Sequence, residues 1–280
     1  MNPAWAALIT AAAAGTAVAA LLFVRRSAPE GSYFADGDRA AGFFGVLATG
    51  FSVLLGLIVF LAFTSYDQAR SGAAAEALFV RQQFETTQFL PTDVRPQLGD
   101  ELVCYGRSVV HREWPAAESG AQADLVNPWT LAMFRTLKTT NPRTAAEQSA
   151  YDKWFDHTAD REEARRDRVH GAAGLIPGPL WMVLFFITAA IFVFMLFFAD
   201  SGERVVTQAM MIGTVVAVIT VTLLLIGFLS DPFRSGFGGL RPTAMERTLR
   251  VLNEERRAFG ESGALPCDVN GTSLRLTRKG

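Results

Sequence analysis

Histidine and cysteine are scarce: the 280 residues hold 3 histidines and 2 cysteines. His111, His157, His170, Cys104 and Cys267 are scattered, in no spacing that suits a metal. Neither a zinc site nor a disulfide framework is expected, and the two thiols read as inert groups in a reducing compartment. The net charge is −1, and no basic run is long enough for nucleic-acid binding. GxSxG, HExxH, a phosphate loop and a Cys–His motif are all missing, so no catalytic residue, metal or cofactor is expected. Ser108 and His111 stand one turn apart, as many such pairs do by chance.

The most informative absence is of charge. Residues 1–24, 40–65, 169–199 and 205–230 contain no Asp, Glu, Lys or Arg, while all 26 basic and 27 acidic residues lie elsewhere. A hydrocarbon core about 30 Å thick needs roughly 20 apolar helical residues. A charge at its centre costs at least about 2.5 kcal/mol. Each block is therefore read as a membrane helix, at about 3–24, 43–65, 177–199 and 205–229. In the first block the basic pair Arg25–Arg26 follows the apolar stretch, the reverse of a cleaved signal, so a retained helix is expected. Its small residues Ala12, Gly15 and Ala19 share one face and suit close helix packing.

The spans divide the chain into 1–65 (membrane helices one and two), 66–173 (a helical segment), 174–230 (membrane helices three and four) and 231–280 (a tail). Arg70 and Arg81 follow the second span, Arg161, Arg165, Arg166 and Arg168 precede the third, and Arg234 and Arg241 follow the fourth. The positive-inside bias then puts 66–173, the tail and both termini in the cytoplasm of an inner-membrane protein, with Arg25 and Arg26 as opposing evidence.

The central segment reads as helix throughout. DQARSGAAAEALFVRQQFETTQF prolongs the second span until Leu90–Pro91 stops it. PTDVRPQLGDELVCYGRSVVHREWP follows, with Leu98, Leu102, Tyr105, Val109 and Arg112 at helical spacing and Pro115 as its end. Further helices are expected at 128–138, with Asn127 as N-cap, and at 144–170, anchored by Tyr151, Trp154 and Phe155. The third span opens at IPGPLW, with Pro177 and Pro179 suited to a first turn. In the tail a helix is expected at about 244–259, and disorder from about 260 on. The fold class is all-α: a four-helix transmembrane protein with a helical cytoplasmic extension.

The second span poses the functional question. At about 100° per residue, Gly45, Thr49, Ser52, Gly56, Phe60 and Phe63 form a narrow stripe, and Asp67 and Arg70 continue it. Leu47, Leu54, Ile58 and Leu61 are expected on the opposite face. Such a stripe suits a water-accessible axis narrowed by aromatics, with a charged vestibule beyond. Small residues at one face equally suit helix packing. Glu76, a lone acid in SGAAAEAL, is expected to pair with an arginine of the polar helices. Glu113–Trp114–Pro115 reads as a helix end with a tryptophan anchor, and Asp231–Pro232–Phe233 as a turn after the fourth span.

GFSVLLGLIVFLAFTSYDQARSGAAAEA, the EWP after a helix with Tyr105, REEARRDR before LIPGPLW, and the DPF after the last span occur in that order. In this the chain resembles the bestrophin-like family of bacterial and plant four-helix membrane proteins, over about residues 44–250. The family is named for a remote similarity to bestrophins, which are pentameric anion channels lined by their second helix, with both termini cytoplasmic. The resemblance implies a homo-oligomer, a pentamer, in a lipid bilayer, with inorganic anions as permeants. The bestrophins' acidic calcium cluster does not map: residues 231–250 offer only Asp231 and Glu246, against about six to eight oxygens for calcium. A non-conducting scaffold or sensor, whose Trp114-, Trp129- and Trp154-bearing helices bind a partner, is the alternative.

Overall fold

The computed structural model describes residues 2–120, 127–172, 176–236, 238–261 and 263–274. The chain order is α1 (Pro3–Arg25), α2 (Gly37–Thr87), α3 (Arg95–Ser108), a π-helical turn (Val109–Glu113), α4 (Trp114–Glu118), α5 (Pro128–Lys138), α6 (Ala145–Ala172), α7 (Gly178–Phe197), α8 (Val205–Leu229) and α9 (Thr243–Ala258). Among the described residues the only β-type pairing is one isolated bridge, Cys267 to Ser273. The chain is all-α, and α1, α2, α7 and α8 are long and apolar enough to cross a membrane.

Two compact units form. One holds residues 1–66 and 174–231, the other 67–173 and 232–280. In the first, α2 buries Phe51, Leu55 and Ile58 against Leu184 and Ile191 of α7 and Ile226 of α8. α1 buries Ala17 and Leu21 beside Ile212 of α8. Arg25, at the end of α1, donates to the side-chain amide oxygen Oε1 of Gln208 on α8 at 2.8 Å and to the backbone oxygens of Ser201 and Glu203 in the loop before it. Carbonyls at a helix-entry loop lack helical partners, so they accept this guanidinium without leaving it unpaired.

The second unit gathers Val80 and Phe84 of α2, Leu98, Leu102 and Tyr105 of α3, Trp129 and Met133 of α5, Trp154 of α6, and Met245 and Leu252 of α9 into one core. α5 starts where the Asn127 side chain accepts from the Trp129 amide at 3.0 Å, with Pro128 in the first turn, where an N–H is dispensable.

Three expectations need correction. Pro115 does not close the helix of Tyr105: α3 runs into the π turn, and Pro115 sits in the first turn of α4. The wider turn pairs the Trp114 amide with the Val109 oxygen, and the chain continues past a residue that has no N–H to give. The two cysteines are not free thiols. Cys104 and Cys267 form a disulfide with Cα atoms 5.8 Å apart. Nor does order end near residue 260. Leu265 and Cys267 pack on the core of the second unit, and the chain is placed as far as Leu274. The rest of that expected disorder, at 275–280, lies outside the described residues, as does the expected segment boundary at 173–174.

Candidate functional site

The stripe on α2 comes from one helical period, and among the described residues of its own unit nothing covers it. Gly45, Thr49, Ser52 and Gly56 are exposed, and Phe60 and Phe63 remain 62% and 54% exposed. A Cβ added at Gly45 or Gly56 would meet nothing within 4 Å. Ser52 satisfies its hydroxyl within the helix, donating to the Ala48 oxygen at 2.9 Å. A second flank, with Phe43, Val46, Val53 and Leu57, is bulky, apolar and also exposed. The face opposite the stripe is only partly packed. Ile58 is buried and Leu47 and Leu54 are half-buried, but Leu61 is exposed. The contact with α7 and α8 centres on Phe51, Leu55 and Ile58, less than half a turn of the helix wheel from the stripe on one side. α2 thus presents three sectors: one packed, one bulky and apolar, one of small and hydroxyl residues ending in two phenylalanines. Asp67 and Arg70 continue the third sector and are exposed.

Further along α2, in the second unit, the helix carries Glu76 into a buried ion cluster. Glu76 is fully buried. Its Oε2 accepts from Arg168 Nε at 2.5 Å and its Oε1 from Arg168 Nη2 at 3.2 Å, a two-point clamp that suits the planar guanidinium. The Tyr105 hydroxyl donates to Glu76 Oε1 at 2.5 Å. Arg168 also reaches Glu113 Oε2 at 2.7 Å, and Arg165 reaches Glu113 Oε1 at 3.2 Å. Asn127 Nδ2 adds a bond to Glu113 Oε1 at 2.8 Å. Arg161 lies over the Tyr105 ring, 4.6 Å from its centroid, and donates to Gln83 Oε1 at 2.8 Å and Glu162 Oε1 at 3.0 Å. Arg168 stands over Trp114 at 5.7 Å.

Two guanidinium groups, Arg165 and Arg168, thus meet two buried carboxylates, while Arg161 beside them pairs with Glu162 at the margin. Burial works against the charge on Arg168, but Glu76 and Glu113 more than offset it and hold its pKa above the ordinary arginine value. Arg165 follows the same pattern, with burial opposed chiefly by Glu113. Burial would raise Glu113, yet Arg168 and Arg165 beside it bring its carboxyl below the ordinary range. Tyr105 is pushed well above its usual value by burial and by the Glu76 carboxylate, so its hydroxyl stays a donor. A paired, desolvated cluster of this kind fixes helices relative to one another and offers neither a nucleophile nor an open metal position. No group of metal-binding side chains occurs among the described residues.

Glu76 and Glu113 therefore meet through Arg168. Trp114 packs edge-on against Phe233, 5.0 Å between centroids, and its indole nitrogen donates to the Leu240 oxygen at 3.2 Å. Pro232 and Phe233 form a turn, with the Pro232 oxygen accepting from the Leu240 amide at 2.8 Å; Asp231 immediately precedes it. In the sequence Arg161, Arg165 and Arg168 stand out only as basic residues preceding the third span. Their spacing held a further signal, since positions four and seven apart fall on one face of α6. Tyr105, Gln83 and Asn127 carried no such signal as members of the cluster.

Comparisons with known proteins agree with this architecture. No curated protein matches the sequence. A crystal structure of a point variant of a bacterial bestrophin homologue from Klebsiella pneumoniae aligns with a TM-score of 0.60 at 13% identity, covering 89% of this chain and 98% of that one. A second variant of that homologue aligns at 0.57 and 13% identity, covering 90% and 97%. A structure described only as a membrane protein aligns at 0.59 and 13%, covering 89% and 97%. At such identities the likeness is one of fold. The sequence itself is matched by the family model of the Bestrophin-like domain over residues 11–245, and over that span the chain belongs to the bestrophin-like family.

Proposed function

We propose that the chain is one subunit of a homo-oligomeric channel of the inner membrane that conducts inorganic anions along an axis lined by α2. The observation that carries this reading is the uncovered stripe Gly45, Thr49, Ser52, Gly56, Phe60 and Phe63. Small and hydroxyl residues leave room for water, and two aromatic rings per subunit narrow one end. Asp67 and Arg70 form the charged vestibule beyond them. The resemblance to bestrophins supports five subunits, anions as the permeant class, and a cytoplasmic position for the second unit and both termini. In this reading the Glu76–Arg168 pair anchors the lining helix, and no step of catalysis is involved.

The test is anion flux into liposomes carrying the purified protein, with Thr49→Val and Ser52→Ala compared against the parent chain. Conduction that changes with these residues supports the lining assignment. A particle that runs as a monomer, or flux indifferent to both substitutions, would favour a scaffold whose polar helices bind a partner.

A further inference from the structure

The last described residues form a loop that closes on itself. Cys267 bridges to Ser273, the Leu274 amide donates to the Pro266 oxygen at 3.0 Å, and Asp268 Oδ1 accepts from the amides of Asn270 and Thr272 at 2.9 and 2.7 Å. The loop turns at Gly271, whose φ of +77° lies in the left-handed region that favours glycine. That glycine presses on the backbone of α3: an added Cβ would stand 2.3 Å from the Ser108 nitrogen and 2.7 Å from its Cα. From outside, Trp129 Nε1 donates to the Gly271 oxygen at 2.7 Å and Arg107 Nη1 to the Asp268 oxygen at 3.1 Å. The covalent tie is the disulfide to Cys104, one turn before Ser108. The loop therefore clamps α3 at the point where it passes into the π turn, and that turn presents Glu113 to Arg165 and Arg168.

We propose that Cys104–Cys267 is a thiol–disulfide exchange site for a dithiol reductant, and that its reduction lifts the loop from α3 and frees the π turn that holds Glu113. Both cysteines are buried in the seated state, Cys104 on the core helix α3 and Cys267 on the loop. Because the loop can lift while α3 stays packed, Cys267 is the sulfur that a transient opening of the loop presents to the reductant. A thiolate of the dithiol bonds to Cys267 Sγ, the Cys104–Cys267 bond breaks, and Cys104 leaves as a thiolate that takes up a proton. The second thiol of the reductant then displaces Cys267, which is protonated in turn, and the reductant departs as its own disulfide. Two electrons and two protons pass from the dithiol to the protein. Once the bond is gone, the loop's ties are non-covalent, among them the hydrogen bonds from Trp129 and Arg107 and the packing of the half-buried Leu265, and these give way as the loop lifts. The readouts of this inference do not involve conduction, so it stands or falls apart from the channel reading.

The experiment treats the full chain in detergent with dithiothreitol, then follows cysteine alkylation and backbone amide exchange by mass spectrometry. The expected result is alkylation of both cysteines without denaturant. Exchange at 263–274 and 107–114 should rise about tenfold or more, while α2 and α9 keep their protection. Cys267→Ser, left unreduced, should show the same local pattern. Gly271→Ala, which unseats the loop with the disulfide intact, should be reduced about tenfold faster than the parent, because access to Cys267 depends on seating. Cysteines that react only in denaturant, a Gly271→Ala chain reduced at the parental rate, alkylation with unchanged exchange at 107–114, or exchange rising equally throughout the second unit would each overturn the proposal.

Discussion

Gly72 of α2 lies against the backbone of Arg168 on α6, so close that an added Cβ would stand 2.6 Å from the Arg168 nitrogen. The Ala164 oxygen would be 2.7 Å away and the Asp167 Cβ 2.8 Å. One turn further along α2, Glu76 reaches the Arg168 side chain. The same close approach thus brings both backbone and charge into register. In an exposed helix Gly→Ala gains about 0.5–1 kcal/mol of stability. Here the rigid neighbour is backbone, and Gly72→Ala is expected to destabilise by about 1–3 kcal/mol through overpacking. Thermal unfolding of the purified chain checks this, and a rise in melting temperature would show that the two helices are not in contact at this point.

Removing one member of the buried cluster should cost more than removing a matched pair. Glu76→Ala leaves Arg168 desolvated with only Glu113 to oppose it, and takes from the Tyr105 hydroxyl its acceptor. A loss of about 3–5 kcal/mol is expected for such a broken buried pair. The double variant Glu76→Ala, Arg168→Met should be less destabilised than the sum of its two single variants, because the uncompensated charges vanish together. Denaturant unfolding of the three variants in one detergent gives the comparison; strict additivity would place the two side chains outside contact.

Acid should weaken the second unit in part through Glu113. Its carboxyl is held below the ordinary range, since Arg168 and Arg165 outweigh the effect of burial. The folded state therefore binds this proton less readily than the unfolded chain does. The stabilisation is fully present above the ordinary glutamate pKa of about 4.3 and is lost as pH falls through the lower folded value. Asp100 and Glu261, raised mainly by burial, act in the opposite sense, so the informative quantity is a difference between proteins. Glu113→Gln should be less stable than the parent at pH 7, and the gap should shrink below about pH 4. A gap that stays constant down to pH 3 would remove Glu113 from the acid response.

The parts that the sequence made legible are those ruled by local periodicity. Four charge-free blocks marked the four long apolar helices, and the Asn127–Pro128 pair marked the start of α5. Glu76 stood out because a lone acid among alanines needs a partner. Its partner did not stand out: Arg168 belongs to a run rich in both signs of charge, and only its spacing from Arg161 and Arg165 distinguishes the inward face. The disulfide could not be read, because 163 residues separate the two cysteines and nothing local brings the tail back to α3. The π turn was equally hidden. It depends on how the chain accommodates Pro115 while keeping Glu113 turned toward α6, which is a matter of tertiary packing.

The last prediction concerns the two aromatic residues of the stripe. Phe60 and Phe63 are 62% and 54% exposed in the single chain. Truncating them opens no cavity within the subunit, so the usual core penalty of about 3–5 kcal/mol is not expected from the subunit's own packing. If the stripe faces an axis, two rings per subunit repeated around it form an apolar neck, which blocks ions by dewetting without a plug. Phe60→Ala and Phe63→Ala should then raise basal anion flux while the oligomer survives in detergent. If instead the rings pack copy against copy, the same substitutions dissociate the oligomer and open no leak. Flux in liposomes and particle mass in detergent, measured on the same preparations, separate the two cases. Dissociation without a leak would mean that α2 lines a contact between subunits, and the pore assignment for this stripe would have to be abandoned.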